Sequence, residues 1–208
     1  DERLPRVGVL ISGRGSNLQA LIDAVARGAL KANLALVISN KADAAGLGRA
    51  REAGIETAVV VPRDYPGRVA FDLALVEVLR ARRIELVCLA GFMRLLGPEF
   101  CGAFPNLVLN IHPSLLPAFP GVDAQRQALE HGVKVSGATV HFVTPELDAG
   151  PIVQQMAVAV RDDDTVATLA ARILEVEHAI YPAAVQRILH EPWRIDGRRV
   201  SFAAPRTS

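Results

Sequence analysis

The sequence predicts an α/β fold, a mostly parallel sheet covered by helices on both faces, with an antiparallel addition on its C-terminal side. Three observations predict it. Short apolar runs alternate with segments whose apolar residues recur at helical spacing, the pattern of repeated strand–helix units. Several runs are apolar throughout rather than alternating, as strands buried on both faces are. After residue 131 two longer runs follow one another with only a turn-rich stretch between them, which suits antiparallel neighbours.

Taken in order, residues 7–11 (Val-Gly-Val-Leu-Ile) read as the first strand. Ser12-Gly13-Arg14-Gly15-Ser16-Asn17 breaks it, and Leu18, Leu21, Ile22 and Val25 begin a helical pattern, whose cap is Ser16 or Asn17 if the turn is not a phosphate site. A second strand at 34–38 closes at Ser39-Asn40-Lys41, and a helix at 44–53 is stopped by Gly54. Residues 56–61 are a third strand and 69–82 an amphipathic helix with Phe71, Leu75, Val78 and Leu79 on one face. A fourth strand at 86–90 leads to a short helix at 98–104 and a fifth strand at 108–111. The helix at 125–131 precedes the two longer strands, 135–143 and 151–160. A long helix follows at 165–189, capped by Asp164 and disturbed at Pro182. A hairpin at 193–202 bends at Asp196-Gly197. The whole is Rossmann-like, a three-layer sandwich. Residues 1–208 show no internal repeat and no linker, so one domain is expected.

Half of the 208 residues are hydrophobic and 22% are charged, so the chain can bury a sizeable core. The net charge of +1 comes from interspersed acids and bases; it is not the basic stripe of a nucleic-acid binder. No apolar run reaches the roughly 18–20 residues that span a bilayer. The first residues, Asp-Glu-Arg-Leu-Pro-Arg, carry no signal-peptide pattern. They also lack an initiator Met, which permits trimming or a larger multifunctional polypeptide. Cys88 and Cys101 have no metal or redox spacing. Cys88 sits in an apolar run as a small buried hydrophobe, and reduced thiols fit a cytoplasmic protein.

The stretch around which the chain is arranged is Leu-Asn-Ile-His-Pro-Ser-Leu-Leu-Pro at 109–117. Strand alternation puts Asn110 and His112 on one face, about 7 Å apart, as a pair able to grip one small polar group. Pro113 ends the strand, because it lacks an N–H for the ladder. The pair then stands at the carboxyl end of a strand, where open α/β sheets place ligands. Taken alone, two such residues read more readily as a loop cap.

Other candidates have bland readings too. The glycine-rich turn 12–17 can present N–H groups and a helix start to a phosphate, or be a tight turn. It is neither a dinucleotide fingerprint nor a P-loop, since Leu18 stands where the third glycine would be and no Gly-Lys-Ser/Thr follows. Asp148, in the loop 144–150, can orient an imidazole or bond its own backbone. Residues 90–96 can wall a pocket for a flat ligand or be plain core. Of Glu177 and His178, one is expected to face solvent. His131 and His141 read as a helix-end and a strand residue.

Together the segments carry a resemblance. In order stand Ser-Gly-Arg-Gly-Ser-Asn-Leu-Gln at 12–19, Ser-Asn-Lys-Ala-Asp-Ala-Ala-Gly at 39–46 and Leu-Ala-Gly-Phe-Met-Arg at 89–94. Then come the 109–117 stretch, His-Phe-Val-Thr at 141–144, Leu-Asp-Ala-Gly-Pro at 147–151 and Glu-His-Ala-Ile-Tyr-Pro at 177–182. From about residue 7 to residue 189 the chain closely resembles the phosphoribosylglycinamide formyltransferases, the folate-dependent transformylases of purine synthesis. The resemblance implies the formyltransferase fold, with the nucleotide's phosphate site in the N-terminal half and the folate and catalytic residues from about 90 onward. It implies Asn110, His112 and Asp148 as catalytic residues. Gly15, Ser16 and Asn17 would hold the ribonucleotide phosphate, and Glu177 would contact the same substrate. Arg68, Met93, Arg94, Leu95, Leu96, Asn110, Thr144, Pro145, Glu146, Leu147 and Asp148 would line the folate site. Departures are Ala118, where the family often has Lys, and Asp123-Ala-Gln125, where it often has His-x-His.

The implied reaction moves a formyl group from 10-formyltetrahydrofolate to the amine of 5′-phosphoribosylglycinamide. It requires no metal, and His112 and Asp148 lack two further ligands at plausible spacing. The partners expected are these two small molecules, with no nucleic acid and no membrane, in a monomer or homodimer. A formyltetrahydrofolate hydrolase would use the same three residues without a phosphate loop. A non-catalytic binding module would not need the three together.

Overall fold

The computed structural model describes residues 3–203. Nine strands form one sheet in the order β3-β2-β1-β4-β5-β6-β7-β9-β8. Its parallel half comprises β1 (Arg6–Ile11), β2 (Asn33–Ser39), β3 (Thr57–Val59), β4 (Leu86–Leu89) and β5 (Val108–His112). β6 (Val135–Phe142) pairs antiparallel with β5, and β7 (Ile152–Ala159) antiparallel with β6. The hairpin of β8 (Trp193–Asp196) and β9 (Arg199–Phe202) adds through β9, which runs parallel to β7. Both halves of the expected sheet are therefore present.

Strand alternation produces the layers. Val7, Val9 and Ile11 of β1 enter one core with Leu86 and Cys88 of β4 and Leu109 and Ile111 of β5. The intervening Leu10, Val87, Leu89 and Val108 enter the other. Successive strand side chains point to opposite faces, so a run apolar throughout needs cover on both. On the first face lie α1 (Ser16–Ala26), α2 (Gly46–Glu52), α5 (Ala124–His131) and α6 (Val166–His190). The second is covered by α3 (Arg68–Ala81) and α4 (Pro98–Ala103). Cys88 is fully buried, and that burial pushes its thiol up to about 12, so it is an inert core residue.

The 25-residue α6 runs through Pro182 without interruption. Beside that proline, the buried Tyr181 hydroxyl donates to the carbonyls of Leu89 at 2.8 Å and Leu109 at 3.2 Å, fixing α6 over β4 and β5. A buried hydroxyl left without a partner there would cost about 1–3 kcal/mol.

Besides the expected disturbance at Pro182, three expectations are corrected. The cap of α6 is Thr165, not Asp164: its side chain accepts from the Thr168 N–H, and Thr168 returns the bond to the Thr165 N–H. Asp164 is engaged instead by Arg172 and the Arg161 N–H, which hold its carboxyl far below the usual range. Helix α1 is preceded by Gly15 in the left-handed region, and neither Ser16 nor Asn17 caps it. The third strand is only Thr57–Val59, because Pro62–Asp64 turn as a short 3₁₀ helix. Among the described residues no helix is long and apolar enough to cross a membrane.

Candidate active site

The predicted site residues gather at the carboxyl ends of β1, β4 and β5, three neighbours in the sheet. β1 runs directly into Ser12, which is buried. The Ser12 hydroxyl donates to Asn40 Oδ1 at 2.6 Å and accepts the Met93 N–H at 2.8 Å. One side chain thereby ties together the loops after β1, β2 and β4.

The turn after Ser12 is built for close backbone approach. Gly15 has φ +73°, and a Cβ there would lie 2.8 Å from the Gly46 Cα. The Gly46 N–H donates to the Gly13 carbonyl at 2.9 Å, holding the start of α2 against the turn. With no side-chain cap on α1, the first N–H groups of that helix remain available to an anion. A pocket of about 320 Å³ opens beside the turn, lined by Ser16, Gln19, Asp23, Arg49 and His178 among others.

Glu177 reaches this turn from the middle of α6, and it is buried while its neighbour His178 is partly exposed. Asn17 donates its amide N–H to Glu177 Oε1 at 3.2 Å, and Asn17 Oδ1 is buried without a partner. Burial disfavours the charged carboxylate and raises Glu177 to about 7; the Asn17 bond opposes this only in part.

At the end of β5, Asn110 and His112 share a face as the alternation requires. His112 Nε2 stands 2.8 Å from the Phe119 carbonyl, and Nδ1 stands 3.5 Å from Asp148 Oδ2. Asp148 comes from the loop between β6 and β7. Its backbone is left-handed at φ 47°, and its Oδ2 accepts the Gly121 N–H at 2.8 Å. The loop is pressed against β6: a Cβ on Gly150 would fall 1.7 Å from the Phe142 carbonyl oxygen. Thr139, opposite His112 in the ladder, donates to the Ser114 carbonyl and accepts the Leu116 N–H, which shapes the segment after Pro113.

The structure adds His141, which the sequence alone marks only as a strand residue. The antiparallel register sets His141 directly opposite Asn110. Asn110 Nδ2 lies 3.2 Å from His141 Nε2, and that nitrogen lies 3.9 Å from Asp148 Oδ1. Burial lowers the His141 pKa. Only the pairing of β5 with β6 reveals this neighbour. The available signal was the position of His141 near the end of a strand next to the Asp148 loop.

The remaining candidates lie on the rims of the same loops. Arg68 is exposed at the first turn of α3, and Met93, Arg94 and Leu95 are exposed after β4. The Arg94 guanidinium sits 5.4 Å from the centre of the Phe71 ring. Leu96 differs: at 1% exposure it belongs to the core under the loop. Beside it, Asp72 accepts the Gly97 N–H at 2.7 Å. Pro145, Glu146 and Leu147 are exposed and Thr144 is half-buried. Among the described residues no three His, Cys, Asp or Glu side chains are grouped to hold a metal ion. A larger concavity of about 1150 Å³ lies at the amino ends of the strands, lined by Arg6, Asn33, Leu34 and Arg82 among others. It contains none of these residues.

Comparison with known proteins gives the family. Residues 5–185 match the formyl transferase family. Phosphoribosylglycinamide formyltransferase of Escherichia coli is 47% identical over 190 residues, covering 91% of this chain and 87% of that protein. The human trifunctional purine biosynthetic protein adenosine-3 is 52% identical over 188 residues, 90% of this chain but only 19% of its own length. The chain thus spans about a fifth of that larger relative. The crystal structure of glycinamide ribonucleotide transformylase 1 from Symbiobacterium toebii superposes with a TM-score of 0.95 at 54% identity, covering 98% of this chain and 96% of that one. By match, identity and fold alike, the chain belongs to the formyl transferase family, among the phosphoribosylglycinamide formyltransferases.

Proposed function

We propose that this protein transfers the formyl group of 10-formyltetrahydrofolate to the amine of 5′-phosphoribosylglycinamide, a step of purine synthesis, releasing tetrahydrofolate and the formylated ribonucleotide. The observation that carries the proposal is the meeting of Asn110, His112 and Asp148 beside an uncapped helix start fit for a phosphate. Residues 1–208 act in this reading as one formyltransferase domain.

The nucleotide's phosphate binds at Gly15, Ser16 and Asn17, and Glu177 holds the same substrate. The folate lies along Arg68, the loop Met93 to Leu96 and the loop Thr144 to Asp148. With both bound, the neutral amine attacks the formyl carbon. Negative charge grows on the formyl oxygen in the tetrahedral intermediate. The donors for that charge are the Asn110 amide and, when it exchanges the Phe119 carbonyl for the formyl oxygen, the His112 Nε2–H; one such donor is typically worth about 3–4 kcal/mol. The amine must lose a proton, and the departing folate nitrogen must gain one. Asp148 holds His112 in place and passes the proton through water or the imidazole. His112 lies between two acceptors, with Nε2 toward the Phe119 carbonyl and Nδ1 toward Asp148.

The test is absorbance-monitored release of deformylated folate from 10-formyltetrahydrofolate, with and without the ribonucleotide. Release that depends on the ribonucleotide is expected. Release without it would make the protein a hydrolase, and no release would leave a binding module.

A further inference from the structure

Asn110 has two amide hydrogens and one carbonyl oxygen, and which end faces the reacting formyl group matters. The two orientations of the amide fill nearly the same volume, so packing alone does not choose between them. The surrounding hydrogen bonds do. His141 Nδ1 lies 2.9 Å from the Phe142 carbonyl oxygen. A carbonyl only accepts, so the proton of the neutral ring sits on Nδ1 and Nε2 carries a lone pair. That lone pair faces Asn110, with the amide nitrogen 3.2 Å away. An amide turned the other way would set its oxygen against the Nε2 lone pair, acceptor against acceptor.

The ring is suited to this task. It is 2% exposed, next to the last residue of β6, and its backbone register with Asn110 is set by the β5–β6 ladder. Its burial is the largest influence and favours the neutral form; the bond to the Phe142 carbonyl and Asp148, 3.9 Å from Nε2, oppose it without reversing the shift.

We propose that His141 is a positioning residue for the transfer reaction: its Nε2 lone pair holds the Asn110 amide with nitrogen inward, so that the second amide N–H is presented to the formyl oxygen. The inference rests on the formyl-transfer reading. In it His141 touches no substrate and acts through Asn110. Without the lone pair the amide is free to turn and to offer an oxygen to the developing negative charge, which repels it.

Two measurements test the inference, one independent of activity. ¹⁵N NMR of the imidazole in the unliganded protein at neutral pH reports which nitrogen is protonated. The Nδ1–H form is expected for His141, and the Nε2–H form overturns the proposal whatever the enzyme does. The second is a double-mutant cycle in kcat with Asn110→Ala and His141→Phe, the latter keeping a ring but no lone pair. His141→Phe alone is expected to lower kcat about tenfold or more, with both KM values within about threefold, since one oriented donor is at stake. In the Asn110→Ala background the same change is expected to have almost no effect. Losses that add in the double variant would show that His141 does not work through Asn110. Should His141→Phe fail to fold, His141→Gln, which keeps an acceptor within reach of Asn110, is compared with the shorter His141→Asn. Retained kcat in the first and loss in the second supports the proposal; equal loss overturns it. Ribonucleotide-independent release by the wild type would sink the transferase reading itself, while the NMR result still decides the tautomer.

Discussion

Asn17 and Glu177, 160 positions apart in the chain, meet through a 3.2 Å hydrogen bond between helices α1 and α6. The buried carboxyl has its pKa raised from the usual 4.5 to about 7. Between those values the folded protein keeps a proton that the unfolded chain has lost. Stability from this group is therefore full below pH 4.5, falls as pH rises to 7 and is flat above. The difference is about 3 kcal/mol. Glu177→Gln, which keeps an acceptor for Asn17, should remove that slope and raise Tm at pH 8 while leaving it near the wild-type value at pH 5. It should also weaken ribonucleotide binding. Thermal melts from pH 4.5 to 8 would show it, and an unchanged slope would assign the pH dependence to other groups.

Asp148→Asn isolates the charge from the shape. The residue sits at φ 47°, a conformation Asn tolerates, and the Asn oxygen can still accept the Gly121 N–H. The carboxylate opposite His112 is lost. We expect kcat to fall by roughly 10²–10⁴ with Tm moved by only a few degrees. Near-wild-type turnover would remove Asp148 from the proton path.

Gly150→Ala should damage the same loop by a different route. The new methyl would lie 1.7 Å from the Phe142 carbonyl oxygen, and backbone must move to make room. A stability loss of about 1–3 kcal/mol is expected, together with reduced kcat because Asp148 is two residues away. The control is Gly48→Ala in α2, where nothing lies within 4 Å of the added Cβ. That change should be neutral or stabilising by denaturant titration.

Ser12→Ala should be felt at both substrates. It leaves the Met93 N–H and the Asn40 carbonyl without their shared partner, at a cost of about 1–3 kcal/mol. The loops after β1 and β4 then lose their common anchor. Calorimetric titration is expected to show weaker binding of both ribonucleotide and folate. Weakening of one alone would mean that the tether serves a single loop.

Much of this molecule can be read before it is seen, and particular residues show where that stops. Val7 to Ile11 and Leu86 to Leu89 are apolar on both faces, so a covered parallel sheet follows from alternation alone. Asn110 and His112 follow from the same period, and Pro113 marks the strand end. The cap of α6 was misplaced by one residue because Asp164 and Thr165 are both good caps, and only the distant Arg172 decides between them. His141 stayed hidden because its meaning depends on strand register, a non-local property. The burial of Glu177 likewise depends on how α6 is rotated against α1, so its bond to Asn17 is not legible in the sequence, and the resemblance implies only a contact with the ribonucleotide.

The C-terminal hairpin lies far along the chain from Asn110 and His112, yet it is fastened to the loop that carries Asp148. Arg198 donates to the Ala149 carbonyl at 2.6 Å, one residue beyond Asp148. Trp193 packs its ring 5.1 Å from that of Phe142, the residue whose carbonyl Gly150 abuts. Arg187 of α6 in turn lies over Phe202. These contacts back the loop from behind, and we expect its opening to be linked to undocking of the hairpin. Amide exchange at residues 148–150 should then report the local opening of β8 and β9. A terminal addition to the sheet would then damp the loop that carries Asp148.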